Sequence, residues 1–185
     1  MRPGGRSPGR SPLEYWDIHF IAGQATGFAA LVICVMAFAS KRDDRLLLLL
    51  VFANVAFAAQ FFLFGARVAG AISALIILRI LLARRYKGSW PIMATMLAAT
   101  GLVSWIGWEQ PLDVIPLTAG LLGTIAMFML DGIPMRLLLA AAATCWVASN
   151  VLVGSVGAAL AELLVLTTNA VTILRLSRDR REAIA

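Results

Sequence analysis

Five residues of this sequence have side chains that could handle a solute or a proton while sitting in runs of Ala, Val, Leu and Gly. They are Gln60, Trp146, Asn150, Glu162 and Asn169. Glu162 is the most demanding. Placing an acidic side chain at the centre of a membrane helix costs roughly 2.5–3.5 kcal/mol on insertion scales. A carboxyl kept there either contacts something that passes through or is hydrogen-bonded to a neighbouring helix. Helical spacing puts Glu162, Val165, Asn169 and Thr172 on one face, which gives a polar stripe. The amides of Asn150 and Asn169 both donate and accept, which suits hydroxyl-bearing or other small polar solutes. The same amides serve equally as interhelical links. Trp146 lies mid-segment, away from any membrane-interface position, and either stacks on a ring of a solute or fills the core.

Other polar positions read less sharply. Asn54 and Gln60 are about 120° apart around a helix, so they do not face one cavity squarely; Gln60 is the better cavity candidate and Asn54 the better link. Arg79 lies close enough to the basic cluster at Arg84 to snorkel to the interface. Its alternative is an ion pair or an anion contact inside the bundle. GQATG (23–27) is a small-xxx-small pattern for close helix contact, with Gln24 a secondary cavity candidate.

Catalytic groupings are missing. His19 is the only histidine and sits at the edge of an apolar run. The apolar segments hold no Ser/His pair, paired aspartates, metal-ligand cluster or phosphate loop. The expectation is therefore no enzyme, no cofactor and no metal. Cys34 and Cys145, each inside an apolar run, read as inert thiols.

The elements that position these residues follow from composition. Of 185 residues, 61% are hydrophobic and 14% charged, with mean hydropathy +0.86. A soluble domain carries about 45–50% apolar and about 25% charged residues. Lipid is the natural solvent for this chain. A net charge of +6 does not argue for nucleic acid, because the basic residues flank apolar runs.

A span needs about 20 apolar residues, within a range of about 17–25. Seven segments meet or approach it, at 18–40, 46–66, 68–83, 90–108, 112–130, 137–153 and 156–174, separated by breaks such as KRDDR, RRYKGS and DGIP. The first is too long for a signal-peptide core and reads as a retained span. Basic residues number eleven on one set of flanks and four on the other, with Arg79 inside a span, which accounts for all 16. Positive flanks stay cytoplasmic, so the N-terminus is expected outside and the C-terminus in the cytoplasm. Trp16, Trp105 and Trp108 fit an outer aromatic belt and Trp90 an inner one.

The chain also resembles itself. MAFASKRDDRLLLLL (36–50) aligns with MFMLDGIPMRLLLAA (127–141), matching Met36 to Met127 and Arg45 to Arg136. With small gaps, AAQFFLFGARVAGA (58–71) aligns with ASNVLVGSVGA (148–158), bringing Gln60 to Asn150, Gly65 to Gly154 and Gly70 to Gly157. Spans one to three thus pair with five to seven. The intervening fourth gives both triplets the same orientation, as parallel repeats about an axis along the membrane normal.

Cys145, Trp146, Asn150, Gly154, Ser155, Gly157, Glu162, Asn169 and Arg175, with the stretch around Gln24 and the segment FFLFGARVAGAISA, form a pattern over roughly residues 20–178. In that pattern the chain resembles the YgjV-type bacterial inner-membrane proteins. The layout is similar to the three-plus-one-plus-three arrangement of SWEET and PQ-loop proteins, although no Pro-Gln dipeptide is present and Pro116 has no partner proline in the first span. The resemblance implies a bacterial inner-membrane location.

The expected fold is all-α, a polytopic membrane protein with seven transmembrane helices. Its divisions are a disordered tail (1–17), a first three-helix repeat (18–83), a linker helix (84–110), a second repeat (111–175) and a basic cytoplasmic tail (176–185). The expected activity is carriage of a small polar solute through a midplane cavity lined by Gln60, Trp146, Asn150, Glu162 and Asn169, with a membrane interaction or scaffold role as the alternative. The expected partners are the lipid bilayer and that solute, without nucleic acid, in a monomer or homodimer.

Overall fold

The computed structural model describes residues 12–39 and 43–182. The expectation of a disordered stretch falls, for residues 1–11, outside them. Among the described residues the chain forms seven α-helices and no strand: α1 (Pro12–Ala39), α2 (Asp43–Leu63), α3 (Arg67–Arg85), α4 (Trp90–Gly107), α5 (Val114–Met129), α6 (Gly132–Leu152) and α7 (Val156–Glu182). A 3-10 turn, Pro111–Asp113, leads into α5.

Among the described residues five helices are long and apolar enough to cross a membrane: α1, α4, α5 with its leading turn, α6 and α7. The apolar part of α2 is shorter, Leu48–Leu63. The hydropathy of α3 is diluted by Arg67, Arg79, Arg84 and Arg85.

Six helices close into a ring. α1 packs on α2 and α7, α2 on α3, α3 on α5, α5 on α6, and α6 on α7, while α4 lies outside against α3 and α5. Because lipid is as apolar as leucine, such helices are held by close packing rather than by a hydrophobic drive. The seams accordingly use small residues, and Ala30, Ala53, Ala158 and Ala161 surround Cys34 and Phe57 between α1, α2 and α7. Many large apolar side chains face outward, although Phe61, Ile72 and Phe128 are buried. On α4, Trp90 is 68% exposed at one end and Trp105 83% at the other, the placement of an interfacial aromatic.

A close backbone approach joins α1 to α7. A Cβ on Gly157 would lie 2.5 Å from the Phe28 nitrogen and 2.6 Å from the Gly27 carbonyl carbon. Backbone therefore rests on backbone at the GQATG segment, where only glycine fits.

Two turns share one geometry. Gly65 ends α2 with φ +76° and Gly154 ends α6 with φ +75°. At the first, the Gly65 and Ala66 N–H groups donate to the Phe62 and Phe61 carbonyls, at 3.1 and 2.8 Å. At the second, Gly154 and Ser155 donate to Val151 and Asn150, at 3.0 and 2.8 Å. Both are Schellman caps, in which a glycine in the left-handed region lets the chain reverse while satisfying the last carbonyls.

The ends are tied as well. Arg67 and Glu109 form an ion pair at 2.8 Å, linking the α2–α3 and α4–α5 turns. At the opposite, basic end Lys87 pairs with Asp131, and the Gly88 N–H donates to the Phe128 carbonyl at 2.8 Å.

Candidate functional site

A cavity of about 150 Å³ lies on the axis of the ring, and each of the six ring helices contributes to its wall. From α7 come Glu162, Val165 and Asn169, at the three- and four-residue spacing of one helix face. Trp146 enters from α6, Asn54 from α2, Arg79 from α3, Cys34 from α1 and Gly123 from α5.

Arg79 does not snorkel to the interface. It is 7% exposed and its Nη1 donates to the Gly120 carbonyl of α5 at 3.1 Å. The same carbonyl accepts the Thr124 hydroxyl at 2.8 Å. Its Nε is buried without a partner in the protein. Gly123 makes the room: a Cβ there would sit 2.5 Å from Nη1.

Glu162 is half-buried and borders the cavity, and the protein supplies its carboxyl with no hydrogen bond or ion pair within 4.0 Å among the described contacts. Arg79 and Glu162 both line the cavity and form no direct ion pair among the described residues. Asn169 is buried and its Oδ1 accepts from Arg136 Nη1 at 3.3 Å, at the basic end of the cavity. Asn54 spends its Nδ2 on the Leu50 carbonyl of its own helix at 2.8 Å.

Gln60 and Asn150 stand outside this cavity, in a sealed seam nearer the α6–α7 turn. Gln60 Nε2 donates to Asn150 Oδ1 at 2.9 Å, and the Ser155 hydroxyl donates to Gln60 Oε1 at 3.0 Å. Asn150 Nδ2 completes the chain by donating to the Trp146 carbonyl at 3.0 Å. All three residues are at most 1% exposed. Gly27 closes the seam from α1, where a Cβ would meet Gln60 Oε1 at 2.5 Å. Beside it, Gln24 accepts the Val156 N–H at 3.2 Å and donates to the Gly154 carbonyl, which places it on the α6–α7 turn. Of the five sequence candidates, the structure thus brings Trp146, Glu162 and Asn169 together and sets Gln60 and Asn150 apart.

A second cavity, of about 130 Å³, lies toward the turns and is bordered by Phe61, Asp113, Pro116 and Ser149. The Ser149 hydroxyl is buried without a partner in the protein. Asp113 is occupied, its Oδ2 accepting the Glu109 and Gln110 N–H groups at 2.9 and 3.0 Å. Phe61 borders this cavity and Trp146 the axial one; their rings meet with centroids 5.6 Å apart and planes tilted by 39°.

Asn54, Arg79 and Arg136 belong to the surroundings of the axial cavity, yet the sequence did not nominate them. For Arg79 the signal was present, a guanidinium inside an apolar run, with the interface equally within its reach. Among the described residues no three His, Cys, Asp or Glu side chains come together as metal ligands.

The family model for Imp-YgjV, a bacterial inner membrane protein, matches residues 21–180. The inner membrane protein YgjV of Escherichia coli (strain K12) is 28% identical over 170 residues, covering 92% of this chain and 90% of that protein. No solved structure matches. The matched region runs from the first helix into the last and includes every residue of both cavities and of the sealed seam. An integral membrane protein with several membrane-spanning helices, this chain belongs to the YgjV family of bacterial inner membrane proteins.

Proposed function

We propose that the protein carries a small polar solute across the inner membrane by alternating access at the axial cavity. The observation that carries this reading is a pocket on the ring axis, walled by all six ring helices, in which Arg79, Glu162, Asn54 and Asn169 stand among apolar side chains. Intramembrane ionisable groups that face a cavity are the usual markers of a solute or proton path.

Helix pairing supports a duplicated carrier. Taking α1, α2 and α3 as counterparts of α5, α6 and α7, the contact of α1 with α2 matches that of α5 with α6. Likewise α2–α3 matches α6–α7, and α3–α5 matches α7–α1. The twin Schellman caps at Gly65 and Gly154 fall at matching places. On this reading two parallel three-helix units, residues 18–83 and 111–175, rock about the cavity, and α4 joins them. The basic flanks put the N-terminus outside and the C-terminus in the cytoplasm. Both units lie in one chain, so a monomer suffices.

Uptake into proteoliposomes across a panel of small polar solutes tests this reading. The expected result is saturable uptake that Glu162→Gln abolishes while folding and expression persist. Absence of concentration-dependent uptake across the panel would sink it. A membrane scaffold is the second reading, and the sealed Gln60–Asn150–Ser155 seam favours it, since a satisfied hydrogen-bond chain needs no cargo. In that case Glu162→Gln changes stability alone.

A further inference from the structure

The axial cavity is lined by a guanidinium and a carboxyl, Arg79 and Glu162, that form no direct ion pair with each other among the described residues. Had Arg79 and Glu162 served only to join α3 to α7, the natural arrangement would be a direct, bidentate ion pair, because a buried charge without its partner is costly. Instead Arg79 is tied to the α5 wall through Gly120 and seated in the space left by Gly123. Its Nε is an unspent donor in a residue that is 7% exposed. Glu162 borders the same space with its carboxyl unbonded. Both groups line the one cavity.

We infer that this cavity binds a small zwitterion, with the solute's carboxylate on Arg79 and its ammonium on Glu162. The inference deepens the carrier reading and rests on it for the solute's passage into the bundle. Charge decides the class. A simple anion satisfies Arg79 but gives Glu162 no cation, and a simple cation meets the reverse. A neutral polyol supplies neither an anion for Arg79 nor a cation for Glu162. A zwitterion neutralises both while adding no net charge to the membrane interior. The guanidinium fork matches a carboxylate, and an ammonium beside Glu162 also lies in a space bordered by the Trp146 indole, a cation–π partner. The volume of about 150 Å³ limits the solute to a small one; an engineered apolar cavity of about that volume accepts benzene.

Calorimetric titration of the purified full chain in nanodiscs tests this. The probes are L-alanine and glycine betaine as zwitterions, propionate as a carboxylate alone, ethylammonium as a cation alone and glycerol as a neutral solute. Saturable binding is expected for at least one zwitterion, with the other three about tenfold weaker or more, the loss of one charge-assisted contact. Glu162→Gln, which conserves shape, is expected to weaken zwitterion binding by about tenfold or more while the unfolding temperature shows the protein still folded. Arg79→Gln is expected to do the same, and Glu162→Gln carries the test where Arg79→Gln fails to fold. Equal binding of glycerol, unchanged binding in Glu162→Gln, or no binding of either zwitterion overturns the inference. Zwitterion binding without uptake in proteoliposomes supports the site and sinks the carrier. Uptake of glycerol with no zwitterion binding does the opposite.

Discussion

Gln60 and Asn150 are hydrogen-bonded to each other across the α2–α6 seam, amide to amide at 2.9 Å, with no open space beside them. Interhelical polar contacts of this kind average about 0.6 kcal/mol in a measured membrane bundle, with a maximum near 1.7 kcal/mol. A double-mutant cycle of Gln60→Ala and Asn150→Ala, read from unfolding in detergent, should therefore return a coupling of about 0.6–1.7 kcal/mol. Additive single effects would show that the two amides act independently.

Gly157 should tolerate no side chain. Its Cβ would press on the backbone of Gly27 and Phe28, which cannot swing aside. Gly157→Ala is expected to destabilise the protein by about 1–3 kcal/mol, the usual range for overpacking. On α4, a Cβ at Gly101 meets nothing within 4 Å, so Gly101→Ala is expected to be neutral or slightly stabilising. Equal thermal shifts for the two variants would contradict the close α1–α7 contact.

These contacts show how unevenly the sequence reported the fold. Segment lengths and breaks announced seven helices because hydrophobic thickness constrains length directly. GQATG announced a tight seam because glycines four apart have few other uses in an apolar helix. The facing of each helix was harder to read. On a helix that is apolar all round, lipid and neighbours demand the same side chains, so the pattern does not mark the inward face. That is why Gln60 and Asn54 exchanged places: Asn54 borders the cavity, and Gln60 bonds the residue that the repeat had offered as its counterpart. Arg79 was ambiguous for a related reason, since a long side chain near a helix end reaches either outward to the interface or inward, and Gly123 decides for inward only in three dimensions.

Gly65 and Gly154 should respond alike to substitution. Each holds a φ near +75° at an equivalent cap, where an L side chain costs roughly 1–2 kcal/mol. Around Gly65 there is open space within 4 Å, and Gly154 meets only the Phe20 ring at 3.8 Å, so backbone conformation alone sets the cost. Gly65→Ala and Gly154→Ala are expected to lower stability by similar amounts of about 1–2 kcal/mol, measured by thermal unfolding in one detergent. A large disparity would mean that the two caps are not equivalent.

The Phe61 and Trp146 rings, one bordering each cavity, meet with their centroids 5.6 Å apart. An aromatic pair of this geometry contributes about 0.5–1.5 kcal/mol beyond its buried area, so a smaller residue weakens the partition without emptying the core. Cys34 borders the axial cavity and reports its accessibility. In a Cys145→Ser background, a membrane-impermeant thiol reagent applied from the side of the α6–α7 turn should label Cys34 slowly. Trp146→Leu should raise that labelling several-fold, whereas Trp146→Phe, which restores a ring, should return it toward the starting rate. Rapid labelling with the indole intact would mean that the cavities already communicate, and the barrier to solute would then have to lie elsewhere than at this ring pair.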